Sequence, residues 1–239
     1  MDKRTSAPLL RVRGLHKSYV RRNWRPGTRA EVSAVQGVDL DVGFGQTLAI
    51  TGKSGSGKST LARCIAGLES PSAGEIRFSG HPVQEGACRH IQLIFQDPGA
   101  SLNPRFSVLH ALSEPLIIRH ENANRHDLAR RLEQVGLSDT LLNQRTSELS
   151  GGQKARLALA RALAALDERD DPAILILDES LSSLDLSVQA QMLNLLLDLQ
   201  EQRSLSYLLI THDLALAEHM ADEIVVMSQG KIVERTVHA

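Results

Sequence analysis

The chain has 239 residues, with 27 lysines and arginines against 28 aspartates and glutamates, so its formal net charge is -1 and it carries no overall electrostatic footprint for nucleic acid. A hydrophobic fraction of 42% supplies a core for one large α/β domain or two small ones, and two cysteines, Cys64 and Cys88, exclude a disulfide framework; both read as buried or inert in a reducing compartment. No apolar run nears the ~20 residues that cross a bilayer, and Met1-Asp2-Lys3-Arg4 leads into polar sequence where a signal peptide would turn apolar, so a soluble chain is expected.

Residues 9–12 and the alternating region 32–42 read as strands, and 46–51 as a buried strand that runs into Gly52-Lys53-Ser54-Gly55-Ser56-Gly57-Lys58-Ser59-Thr60. A helix is expected over 58–66, stopped by Gly67, followed by short strands at 75–78 and 90–95. The turn residues of 96–104 break all periodicity, after which the pattern is helical to about residue 166. Leu128, Leu132 and Val135 recur at helix spacing before Gly136, and Leu157, Ala160 and Ala164 continue a helix that begins near Gln153. Residues 167–171 (Asp-Glu-Arg-Asp-Asp) read as a solvated loop. Strand and helix then alternate: 173–178, 186–202, 207–211, 214–221 and 223–228, with a hairpin at Gln229-Gly230. Such βαβ order implies a mainly parallel sheet, with the middle of the chain inserted as a helical block.

The first glycine-rich stretch fits G-x-x-x-x-G-K-[ST], whose backbone N–H groups curl around phosphate oxygens while Lys58 supplies a mobile positive charge. Strand, glycine turn and helix is the context that motif needs. The second, Leu149-Ser150-Gly151-Gly152-Gln153, lacks a lysine but offers small residues and bare N–H groups at another helix N-terminus, an anion site. The apolar run 173–177 ends in Asp178-Glu179, and core packing does not explain two carboxylates at the end of a buried strand. Ligands of open α/β sheets bind at that end. Asp178 would hold Mg²⁺ together with the Ser59 hydroxyl, and Glu179 would polarise an attacking water. Thr211-His212-Asp213, at the end of another apolar strand, puts His212 beside them.

Taken together these residues resemble the ATP-binding cassette (ABC) ATPases from about residue 9 to 233. The resemblance implies a P-loop NTPase (RecA-like) core with a mainly parallel sheet, an N-terminal antiparallel β subdomain and an inserted α-helical subdomain, dividing one domain into a core of 1–96 and 167–239 and a helical part of 97–166. It implies that Gln96 contacts Mg²⁺ and water, that Asp185 of Ser182-Ser183-Leu184-Asp185 is a loop aspartate, that His212 senses the γ-phosphate, and that Ser150 to Gln153 form the family's signature. Tyr19 matches the aromatic that stacks on adenine; read alone it is as well an edge-strand packing residue, and its place in the motif order decides. The family's geometry has two cassettes meet, with Ser150, Gly151 and Gly152 of one donating to the γ-phosphate held by Lys58 of the other. ATP and Mg²⁺ are the implied ligands. The implied partners are a second cassette, commonly a related sibling, two membrane permease subunits and an extracytoplasmic solute-binding protein, with the chain peripheral on the cytoplasmic face of the cell membrane.

The run Phe95-Gln96-Asp97-Pro98, then Ser101-Leu102-Asn103-Pro104-Arg105, and Asp185 to Ala190 look like the dipeptide, oligopeptide and nickel importer ATPases. Within that group, Ala66 to Pro71, the Ser180-Leu181 that follows Glu179 in place of the usual Pro-Thr, and the ending after Gly230 resemble the nickel-importer ATPase, the first expectation, with a dipeptide or oligopeptide importer as the alternative. The absence of a cysteine-rich extension before Ala239 is read in the same direction. Nine histidines lack the spacing of a nickel site. A soluble cassette acting on nucleic acid is the rival from another class, carried only by a basic run of Arg11, Arg13, Lys17, Arg21, Arg22, Arg25 and Arg29 around Trp24 that also reads as a solvated face. The phosphate loop alone would permit a phosphotransferase; the signature and His212 argue against one.

Overall fold

A computed structural model describes residues 7–22, 29–83, 89–166, 172–182, 184–203 and 205–237. Trp24 and Arg25 of the basic run, Cys88, Ser183 and the 167–171 segment lie outside them. Two sheets form. Strands β1 (Leu10–Arg22), β2 (Arg29–Val42), β4 (Ala73–Phe78) and the short β5 (His81–Pro82) pair antiparallel in the order β2-β1-β4-β5. Strands β3 (Thr47–Thr51), β6 (Ile91–Ile94), β7 (Ile174–Asp178), β8 (Ser206–Ile210), β9 (Glu223–Ser228) and β10 (Lys231–Val237) order as β10-β9-β3-β8-β7-β6, parallel except at the terminal hairpin.

Strand β1 runs far beyond the expected 9–12 because pairing with β2 carries it as an extended ribbon out to Arg22, past register shifts that local apolar alternation does not announce. Helix α1 (Lys58–Ile65) follows β3; α2 (Val108–Ile118), α3 (Arg125–Glu133) and α4 (Gly151–Ala165) make the inserted block with 3₁₀ turns at Asp139–Asn143 and Thr146–Glu148; α5 (Leu186–Arg203) and α6 (Leu214–Met220) close the crossovers. Among the described residues no helix is long and apolar enough to cross a membrane.

The parallel strands are buried on both faces, and period-two alternation divides them between two hydrophobic clusters. Leu48, Ile50, Ile174, Ile176, Leu208 and Ile210 pack with α1 and the antiparallel sheet, burying Leu61, Ile65, Val12 and Leu40. On the other face Ala49, Leu175, Leu177, Tyr207 and Leu209 pack with Leu112, Leu132, Leu159 and Leu163 of the inserted helices and with Leu196 and Leu199 of α5. Tyr207, fully buried, donates its hydroxyl to the Leu196 carbonyl at 2.6 Å. Strands β3, β6, β7 and β8 thus release their C-terminal residues along one rim.

Candidate active site

The rim begins with the phosphate loop. Gly52 has φ +141° and a Cβ there would lie 2.1 Å from the Met227 carbonyl oxygen; Gly57, the left-handed N-cap of α1 at φ +106°, would meet the Ala34 carbonyl at 2.2 Å. Only glycine passes between β2 and β9 at these two points. Lys53, Ser54 and Gly55 are exposed at the loop's crest, and Ser59 and Thr60 open α1. Lys58, only 5% exposed, folds back over the loop: its Nζ donates to the carbonyls of Gly52 at 2.8 Å and Lys53 at 3.1 Å.

Beside it, β7 delivers Asp178, 5% exposed, whose Oδ1 accepts from Ser59 Oγ at 3.0 Å. Burial pushes the Asp178 carboxyl above the ordinary carboxylate range; the Ser59 hydrogen bond opposes the rise and the charge of Glu179 adds to it. Glu179 follows in a left-handed conformation, φ +49°, a strain of about 1–3 kcal/mol for a residue with a side chain. Bonds from its N–H to the Ile210 carbonyl at 2.9 Å, and from Ser182 Oγ to its own carbonyl at 2.6 Å, impose it. The turn brings the Glu179 carboxylate into reach of three elements. Its Oε2 accepts from Gln96 Nε2 at 3.1 Å just past β6, while Oε1 stands 3.9 Å from both Lys58 Nζ and His212 Nδ1. His212 follows β8, its side chain 64% exposed, in a turn held by Asp213 N–H donating to Thr211 Oγ1 at 3.0 Å and by the Asp213 side chain capping α6. One carboxylate therefore faces an amide donor, an ammonium and an imidazole, open to solvent on the imidazole side, as a general base for water requires.

No group of three or more His, Cys, Asp or Glu side chains placed to hold a metal occurs among the described residues. The donors present, one desolvated carboxylate and a hydroxyl, fit a small hard cation that takes its remaining oxygens from phosphates and water.

Tyr19 lies half-buried on β1, its hydroxyl donating to Glu69. Burial pushes that hydroxyl's pKa up, the Glu69 hydrogen bond adds to the rise, and a hydrogen bond with Thr60 works against it. The signature forms a separate group. Ser150 caps α4 through Oγ, which accepts from Gln153 N–H at 3.2 Å, and Gln153 Oε1 accepts from Ser150 N–H at 2.9 Å. The box takes up the serine and glutamine side chains and leaves the Gly151 and Gly152 N–H groups open, so the bare donors expected here are those of the two glycines. Ser150→Ala is expected to cost about 1 kcal/mol in chemical denaturation, the ordinary loss of an N-cap. A Cβ on Gly152 would lie 2.9 Å from Val188, whose N–H donates to the Asp185 side chain at 3.0 Å, so signature and loop aspartate sit together at the start of α5. Helix α4 packs on α2, α3 and β6, whereas α1 packs on β2, β6 and β7.

Lys58, Ser59, Asp178, Glu179, Gln96 and His212 thus converge, Tyr19 flanks them through Thr60, and Ser150 to Gln153 with Asp185 form a second surface. Two linking residues, Glu69 and Val188, lie in stretches that carry the family resemblance, but their linking role has no sequence signal: each acts by what it touches, with no spacing to mark it. Three members of the basic run, Arg11, Arg13 and Lys17, are paired. Arg13 donates to Asp41 at 2.6 Å with Arg11 3.8 Å from the same carboxylate, and Lys17 Nζ lies 3.6 Å from Glu69.

Comparison with known proteins agrees with this fold. The ABC transporter family profile matches residues 35–182. The chain is 43% identical to the Probable D,D-dipeptide transport ATP-binding protein DdpF of Escherichia coli (strain K12), over 96% of this chain and 72% of that one. It is 40% identical to the Dipeptide transport ATP-binding protein DppF of Haemophilus influenzae, with the same coverages. Among solved structures, the dimeric ATP-binding cassette MJ0796 in a post-hydrolysis state with ADP and Pi superposes with a TM-score of 0.79 at 25% identity, over 95% of this chain and 98% of that one. The chain belongs to the ABC transporter family. It is an ATPase, built on the P-loop NTPase fold with its antiparallel N-terminal sheet and inserted helices.

Proposed function

We propose that the chain couples ATP hydrolysis to uptake of dipeptides or oligopeptides through separate membrane permease subunits. The observation that carries the ATPase half is the convergence of Lys58, Ser59, Asp178, Glu179, Gln96 and His212 on one rim. Support for the peptide half comes from the names of relatives about 40% identical over nearly the whole chain, which speak of dipeptide transport. The nickel expectation rests only on short stretches such as Ser180-Leu181, and those names favour the peptide alternative over it.

In this reading Gly52, Ser54, Gly55, Gly57 and Thr60 cradle the phosphates with Lys58, and Tyr19 stacks on the adenine. Mg²⁺, held by Ser59, Asp178 and Gln96, would supply positive charge to the β- and γ-phosphate oxygens. Glu179 accepts the proton of the attacking water, with Gln96 and His212 fixing its carboxylate. Ser150, Gly151, Gly152, Gln153 and Asp185 face the nucleotide of a second cassette, a related sibling. Residues 97–166 form the helical subdomain, and the partners are that sibling, two permeases and an extracytoplasmic solute-binding protein at the cytoplasmic face of the membrane. A cavity of about 590 Å³ between α1, β6 and the inserted helices supports a protein partner there, lined by Leu68, Phe95, Glu114, Ile118 and Arg161. Ile118 is 72% exposed, and Phe95 adjoins Gln96, so an occupant would touch the neighbour of the residue that hydrogen-bonds Glu179.

Uptake into vesicles carrying the chain with its copurifying permeases tests the solute. Labelled dipeptide is expected to accumulate in an ATP-dependent way and labelled nickel is not; accumulation of nickel alone would replace the peptide reading with the metal one.

A further inference from the structure

The Tyr19 ring is held by more than its own strand. Its hydroxyl donates to Glu69, a carboxylate in the turn after α1, and the same carboxylate stands 3.6 Å from Lys17 Nζ of β1 and 3.7 Å from Arg63 Nη1 of α1. Lys17 Nζ also donates to the Ser70 carbonyl at 2.8 Å and lies 5.2 Å from the centroid of the Tyr19 ring. So anchored, the ammonium stands over one face of the ring, where the quadrupole attracts it. Partly exposed ion pairs of this kind add little to stability, which makes geometry the better account of a carboxylate shared by three groups.

We propose that Glu69 is a positioning residue for nucleotide binding: it fixes the Tyr19 ring against the phosphate-loop helix, so that one aromatic face is presented to the base at a set reach from Lys58. The proposal rests on the reading of Tyr19 as the base-stacking residue. Because Glu69 and Thr60 engage the hydroxyl, Tyr19 meets the base through its π-face alone, a contact tolerant of base identity.

Equilibrium binding of ATP and of inorganic tripolyphosphate, which has no base, separates this role from propping of the phosphate loop. Glu69→Ala and Tyr19→Phe are each expected to weaken ATP binding roughly fivefold, the low end of what removal of a stacking aromatic costs. The double variant is expected to lose no more than either alone, since both cut one link. Tripolyphosphate binding stays unchanged, and the KM for ATP rises with kcat at saturation preserved. Equal weakening of both ligands, additive losses, or a Tyr19→Ala loss that Glu69→Ala does not share would each overturn the proposal. If Tyr19→Ala leaves ATP binding untouched, the base-stacking reading itself falls.

Discussion

Glu179→Gln is expected to lower the rate of ATP hydrolysis at least ~100-fold while ATP still binds. The substitution preserves shape and keeps an oxygen for the Gln96 amide, now 3.1 Å away, but removes the lone carboxylate in the cluster able to take a proton from water. Asp178 does not substitute for it, because that side chain is buried and occupied by the Ser59 hydroxyl. Binding is retained because the change deletes a negative charge near the triphosphate and leaves Lys58 in place. Phosphate release under saturating ATP, beside equilibrium binding of a fluorescent ATP analogue, reads the two quantities separately. Turnover near that of the wild type would remove Glu179 as the base.

Lys58→Ala is expected to act one step earlier, weakening ATP binding by roughly 30-fold or more, as truncation of one member of a buried hydrogen-bonded charge pair does. The ammonium is nearly solvent-free, donates to two loop carbonyls and stands 3.9 Å from Glu179, so it is already desolvated and aimed at the loop's interior. A triphosphate seated there replaces those weak acceptors with charged oxygens, a stronger hydrogen bond at little further desolvation cost. Titration calorimetry checks the affinity. An unchanged Kd would refute the assignment of residues 52–60 as the phosphate cradle.

Much of this architecture is legible in the sequence because the buried parallel strands announce themselves as short continuous apolar runs. Residues 47–51, 174–178 and 206–210 fall within a residue or two of the expected bounds, and the Asp178-Glu179 pair stands at the end of one of them. The phosphate loop is equally plain, since two of its glycines, Gly52 and Gly57, are demanded by backbone carbonyls at 2.1 and 2.2 Å from an added Cβ. The long ribbon of β1 and β2 was underestimated because its outer half faces solvent, where alternation has no buried side to reveal it, as Val20 and Val32 show. Start and stop of the inserted helices blurred for a related reason: the Ser150–Gln153 box moves the start of α4 to Gly151, ahead of the apolar pattern from which the helix was inferred. The linking role of Glu69 was invisible because a carboxylate after a glycine turn is ordinary on any surface, and only the folded chain brings Tyr19, Lys17 and Arg63 to it.

The division of the apolar interior into two bodies on opposite faces of one sheet has a mechanical consequence. The helix carrying Lys58 is bedded in one body, and α4, which bears Gly151 and Gly152, in the other. Both helices nevertheless lean on the same strand, β6, from its two sides, so the sheet is the part they share, and the chain leaves that strand through Gln96 toward the Glu179 carboxylate.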